Sequence, residues 1–154
     1  VSQADILEPP ADDVGAILPS NIGFHIRMVQ MRIFREFYRA FEGTGMTPGM
    51  HTVLAIIRDN PGVRQRALAE LLMVREPNMT RMIQGLEASD LIVRKVDMSD
   101  RRAFHLALTD HGRERMDEVA ARIDGLEELL LSSLDGGERK NLREYLDRIL
   151  AGID

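Results

Sequence analysis

The chain has 154 residues, a formal net charge of −5 at pH 7 and no cysteine. That length suits one domain, or one compact unit with a dimerisation extension; the lack of thiols excludes disulfides, thiolate metal sites and cysteine redox sensing. No apolar run approaches the about 18 to 20 residues that span a bilayer, and no basic stretch followed by an apolar one marks the N-terminus, so the cytoplasm is the expected compartment and no membrane partner is expected.

Residues 1–19 (VSQADILEPPADDVGAILP) combine a Pro-Pro pair and adjacent acids with no sustained period, and read as a flexible N-terminal arm. Ser20 or Asn21 then caps a helix over about 21–42, in which Ile22, Ile26, Val29, Ile33 and Phe37 recur at helical spacing. Phe24, Met28, Met31, Phe34 and Phe41 lie outside that stripe, the pattern of a helix packed on more than one neighbour, and Gly43-Thr44-Gly45 ends it. Thr47-Pro48 opens a second helix with a cap followed by proline, and Asn60-Pro61-Gly62 stops it. A short third helix is expected at about 64–72, with Leu68, Leu71 and Leu72 inward. After Met73-Val74 a fourth covers about 76–88, with Met79, Met82, Ile83 and Leu86 on its apolar face and Asn78, Thr80, Arg81 and Gln84 on the other.

From Leu91 the period shortens. Val93 and Lys95, then Phe104, Leu106 and Leu108, alternate in two runs flanking the polar stretch Asp97–Arg102, which reads as a β-hairpin. Thr109 caps a long helix to about Ser133, striped by Met116, Val119, Ile123, Leu126 and Leu130; Asp135 and Glu138 form a capping box for a last helix bearing Leu142, Leu146, Ile149 and Leu150. The fold class is therefore mostly α with a small β-hairpin wing. The order describes a winged helix-turn-helix flanked by N- and C-terminal helices suited to a dimer interface. The expected organisation is an arm at 1–19, a first dimerisation helix at 20–46, a winged helix-turn-helix lobe at 47–108 and dimerisation helices at 109–154.

The stretch from Thr47 to Gly112 closely resembles the multiple-antibiotic-resistance regulator (MarR) family. The resemblance rests on Leu68-Ala69-Glu70, the Pro77–Arg81 stretch, Leu86-Glu87 followed by Leu91, the Asp97-x-x-Asp100-Arg101-Arg102 wing, and Leu108-Thr109-x-x-Gly112. It extends less sharply from Pro19 to the C-terminus. It implies a two-fold dimer of the first and last helices, a recognition helix in the major groove and a wing arginine in the minor groove. It also implies repression that a small molecule relieves, and no catalysis; the sequence carries no P-loop, no dinucleotide fingerprint and no nucleophile elbow. Four positions depart from the family pattern. Arg64 and Arg75 stand where helix caps are usual, and Met73 stands for the turn glycine, which predicts a strained backbone angle or a different turn. Asp90 replaces a glycine but tolerates the left-handed conformation.

On this reading Asn78, Thr80, Arg81 and Gln84 meet base edges, because arginine pairs with guanine and the amides with adenine. Arg64, Gln65, Arg66 and Arg75 lie near helix N-termini, where arginines oppose the dipole and suit phosphates. Arg94 and Lys95 add phosphate contacts. Arg101 or Arg102 enters the minor groove, oriented by Asp97 or Asp100. Double-stranded DNA with a pseudo-palindromic operator and a second copy of the chain are the expected partners. The acidic total does not oppose this, since residues 44–112 carry nine Arg/Lys against eight Asp/Glu while residues 113–154 carry seven against eleven.

By the same resemblance an effector pocket gathers Phe24, His25, Met28, Met31, Arg32, Met50 and His51, where methionines mould a cavity and His or Arg holds an anion such as an aromatic acid or an acyl thioester. The plainer alternative is core methionines with capping or surface histidines. No cofactor and no metal are expected. The competing functional readings are a metal-responsive regulator built from dispersed His and Glu, and a helical protein-interaction module that leaves DNA alone.

Overall fold

The computed structural model describes residues 20–96 and 104–152. The N-terminal arm and the wing tip with Asp97, Asp100, Arg101 and Arg102 lie outside those residues. Among the described residues six helices and one hairpin follow in the order α1 (Ile22–Ala40), α2 (Pro48–Asp59), α3 (Gln65–Leu71), α4 (Glu76–Ala88), β1 (Ile92–Val96), β2 (Phe104–Leu108), α5 (Asp110–Leu130) and α6 (Gly136–Ala151). This is the expected mostly helical fold with a β-hairpin. Within α5, after Ala120, the chain divides into two compact units.

In the first unit the helix starts are set by side-chain caps. Asn21 accepts from Phe24 N at 2.8 Å, which resolves the Ser20/Asn21 alternative, and Thr47 accepts from Met50 N at 3.2 Å ahead of Pro48. Thr109 Oγ1 accepts from Gly112 N at 2.8 Å and donates to Asp90 O, so one hydroxyl closes the start of α5 and the exit of α4. The core between these helices and the hairpin holds Val53, Leu54 and Ile57 of α2, Leu68 and Ala69 of α3, Met79, Ile83 and Leu86 of α4, and Ile92, Leu106 and Leu108 of the strands. Phe37 and Phe41 stack at 4.3 Å and close the inner side of α1. Ile22, Ile26 and Val29 on the same helix stay open to solvent in the single chain.

Two packing expectations fail. Leu71, expected inward, is 64% exposed. The inner face of α3 centres on Leu68, Ala69 and the half-buried Leu72, which leaves Leu71 about 100° round the helix. In the hairpin, Ile92 pairs with Leu108, Arg94 with Leu106 and Val96 with Phe104. The face shared with Leu106 and Leu108 therefore carries Ile92 and Arg94, while Val93 and Lys95 point the other way. The run Leu91-Ile92-Val93 is apolar at both phases, so its alternation does not choose a face.

Backbone geometry follows the departures from the family pattern. Met73 has φ 51° and Asp90 φ 55°, both left-handed. Gly112 is needed for another reason: an added Cβ would lie 1.9 Å from Leu91 O, because the first turn of α5 presses on that backbone.

The second unit holds the end of α5 and α6. Asp135 and Glu138 make the reciprocal capping box, each bond 2.9 Å. Arg139 donates to Leu134 O at 3.0 Å and to Glu128 at 2.6 Å, and this bond holds the Glu128 carboxyl below its ordinary pKa. No side chain of α6 is buried, and Leu142, Leu146, Ile149 and Leu150 form an open apolar stripe.

Candidate nucleic-acid interface

The helix-turn-helix is built from α3, the left-handed turn at Met73 and α4. Val74 N donates to Ala69 O at 2.9 Å and Met73 N to Glu70 O at 3.2 Å, so the backbone closes the end of α3 without glycine. Arg75 is the N-cap of α4 with no side-chain cap bond, Pro77 sits in the first turn, and Glu76 supplies the acid that favours a helix start. Because Met79, Ile83 and Leu86 are buried, Asn78, Arg81 and Gln84 are left exposed at spacings of three, with Thr80 half-buried at their edge. All four expected readout residues thus share the solvent side of one helix.

The flanking candidates divide. Gln65 Nε2 donates to Thr80 Oγ1 at 2.8 Å, spending its amide on α4. Arg66 pairs with Glu70 at 2.8 Å on an exposed helix face, and that bond raises its pKa. Arg64 is the N-cap of α3, extended, and bridges to His105 of β2. With Gly62 N donating to Leu106 O and Leu106 N to Val63 O, each at 3.0 Å, the approach to α3 runs along β2. Lys95 is exposed on β1. Arg94 points to the inner face, where its buried Nε lies 3.1 Å from Glu87 Oε2, an ion pair with no hydrogen bond completed at that atom.

Between α3, the start of α4 and the hairpin lies a groove of about 380 Å³ lined by Arg64, Gln65, Arg66, Ala69, Glu76, Arg94, Phe104 and Leu106. It joins three of the expected arginines, Arg64 and Arg66 at the start of α3 and Arg94 on β1. Glu87, Glu76 and Phe104 were missed as members of this neighbourhood. Glu87 and Arg94 are joined across a turn at a spacing no periodicity marks.

The expected effector residues are placed as follows. Phe24 and Met28 are half-buried, while His25, Met31 and Arg32 are exposed. His25 Nδ1 lies 3.0 Å from Asn21 O, at the first turn of its own helix. Met50 and His51 on α2 are half-buried, and the His51 ring lies 5.9 Å from the Phe37 ring. Burial, and secondarily the positive Arg58, hold the His51 imidazole below its ordinary pKa. Among the described residues no cluster of three or more His, Asp or Glu is arranged to hold a metal ion, and no helix is long and apolar enough to cross a membrane.

Comparison with known proteins accounts for this geometry. The profile of the MarR family matches residues 46–104. The chain is 31% identical over 140 residues, 90% of its length and 84% of the relative's, to a protein described as a transcriptional regulatory protein for the hcr operon of Thauera aromatica. It is 32% identical over 104 residues, 68% of its length and 67% of the relative's, to the transcriptional repressor MdtR of Bacillus subtilis (strain 168). Among solved structures, the transcriptional repressor CouR bound to a 23-mer DNA duplex is 30% identical with a TM-score of 0.73, covering 94% of this chain and 99% of that one. The regulator SlyA shares the fold at 24% identity with a TM-score of 0.77, over 86% of this chain and 93% of that one. The chain belongs to the MarR family of DNA-binding transcriptional regulators, which are not enzymes.

Proposed function

We propose that the chain acts as a cytoplasmic homodimer that represses transcription by covering a pseudo-palindromic operator, with residues 47–108 as the DNA-binding lobe. Helix α4 enters the major groove, presenting Asn78, Thr80, Arg81 and Gln84. The wing reaches the adjacent minor groove through Arg101 or Arg102, and Arg64, Arg66, Arg75, Arg94 and Lys95 take phosphates. The observation that carries this reading is the exposed polar face of α4, held rigid by three fully buried core residues beneath it. The relative CouR is described on a DNA duplex, which supports the same use of this lobe.

Dimerisation is supported by the open stripes Ile22, Ile26, Val29 on α1 and Leu142, Leu146, Ile149, Leu150 on α6, each too apolar to stay solvated. The effector reading rests on the half-buried His51 ring 5.9 Å from the ring of Phe37, with the half-buried Met28 and Met50 as proposed adaptable walls. An aromatic acid or acyl thioester fits that chemistry. The test is selection of bound duplexes from a random pool, beside the molecular mass in solution. A dimer and inverted half-sites about one helical turn apart are expected. A monomer, or a selected site without inverted symmetry, contradicts the reading.

A further inference from the structure

Gln65, at the first position of α3, and Thr80, on the readout side of α4, are joined by a 2.8 Å hydrogen bond between side chains fifteen residues apart. The direction of that bond matters. A hydroxyl has one proton to donate and two lone pairs to accept with, whereas an amide nitrogen can only donate. With Nε2 donating, the Thr80 oxygen has accepted once, its place is fixed by that bond, and its own proton and a second lone pair remain. Among the described residues the Thr80 hydroxyl donates to nothing in the chain.

We infer that Gln65 is a positioning residue for DNA recognition: by hydrogen-bonding the Thr80 hydroxyl it holds that side chain in one orientation, so that the remaining hydroxyl proton is aimed at one acceptor on the DNA, a base-edge N or carbonyl O or a phosphate oxygen. The inference rests on the proposed seating of α4 in the major groove. It reassigns Gln65 from contacting the DNA to orienting a residue that does. Without the amide the Thr80 side chain is free to change rotamer, and its contact at that point of the groove is no longer held in place.

A duplex selected from a random pool by the wild-type protein supplies the probe. Each base pair of one half-site is replaced in turn, and separately each phosphate by a neutral methylphosphonate. Thr80→Val, which keeps the shape and drops the hydroxyl, weakens binding about tenfold, and Gln65→Met does so by roughly three- to tenfold. The double variant loses no more than about twofold beyond Thr80→Val, because the two changes break one pathway. One DNA position penalised in wild type ceases to matter in both single variants. A base pair there identifies a base-edge acceptor, and a methylphosphonate there identifies a phosphate. Gln65→Met retains the wild-type unfolding midpoint and salt slope. If it fails to fold, Gln65→Glu, of the same size but able only to accept, erases the same position-specific penalty.

Multiplying losses in the double variant, or position-specific penalties unchanged in Gln65→Met and Gln65→Glu, overturn the inference. Arg81→Ala separates the two levels. If it weakens binding while the Gln65 and Thr80 variants do not, only this inference fails; if it too binds like wild type, the seating of α4 fails.

Discussion

Alanine at position 112 would set a methyl carbon 1.9 Å from Leu91 O and 2.9 Å from the Leu91 carbonyl carbon, where unstrained carbon contacts begin at about 3.5 Å. The obstacle is backbone and has no rotamer to give. Leu91 is itself pinned, with its N donating to Leu86 O at 3.0 Å and its O accepting from Thr109 N at 3.2 Å. Relief requires α5 to back away from the exit of α4, breaking the Thr109 cap or opening the core around Leu91. Overpacking costs about 1–3 kcal/mol, and a backbone clash lies at the top of that range. In a chain of this length about 3 kcal/mol lowers the unfolding midpoint by roughly 6–12 °C. Thermal unfolding followed by circular dichroism at fixed protein concentration reads the change, since dimer stability depends on concentration. Gly85→Ala is the control of opposite sign. An added Cβ there meets nothing within 4 Å, and alanine in an exposed helix interior stabilises by about 1 kcal/mol. A Gly112→Ala midpoint within about 2 °C of wild type would refute the packing argument.

Met73→Gly relieves about 1–2 kcal/mol of left-handed strain against an unfolded-chain entropy term of about 0.4–1 kcal/mol. Its midpoint in urea therefore rises slightly, and a fall would show that the Met73 side chain stabilises the turn. Asp135→Ala removes the capping box of α6 and costs about 1 kcal/mol, read as faster amide exchange confined to the start of α6; uniform exchange along the helix would contradict a local role. His51 gives a pH signature. Its folded pKa is lowered, so the unfolded chain takes up the proton first as pH falls. The stability contributed by neutral His51 is whole above about pH 6.5, drops as pH falls through that value, and levels once the folded form also protonates. Urea unfolding of wild type and His51→Gln across this window tests the sign, and equal pH slopes in the two proteins would contradict it.

Features written in short-range chemistry were legible in the sequence. Thr47-Pro48 and Asp135-x-x-Glu138 mark helix starts because the capping atoms lie within one turn of each other. The bounds of α4 follow from one apolar face, and the left-handed angles at Met73 and Asp90 follow from turns that must reverse wherever glycine is usual. Features written in tertiary contact were not legible. Leu71 keeps helical spacing yet falls outside the inner face, because a seven-residue helix presents only one patch to its neighbours. The hairpin phase was ambiguous because three apolar residues precede the first polar one. The Gln65–Thr80 bond and the Glu87–Arg94 pair join residues whose separations carry no period. Similarly, Arg115 on α5 reaches back to Thr44 O at 3.0 Å, a link that only the folded chain makes. The effector residues spread from half-buried to exposed, and what unites them in the reading is chemistry of side chains rather than a pattern along the chain.

The most direct test of the account is titration of the selected duplex, beside a scrambled one, at several salt concentrations with wild type and Arg81→Ala. The account predicts tight wild-type binding to the selected duplex alone, a negative slope of log affinity against log salt, and a loss of about 1–3 kcal/mol with relaxed specificity at one base pair for Arg81→Ala. Equal, weak binding to both duplexes that Arg81→Ala leaves unchanged would contradict it.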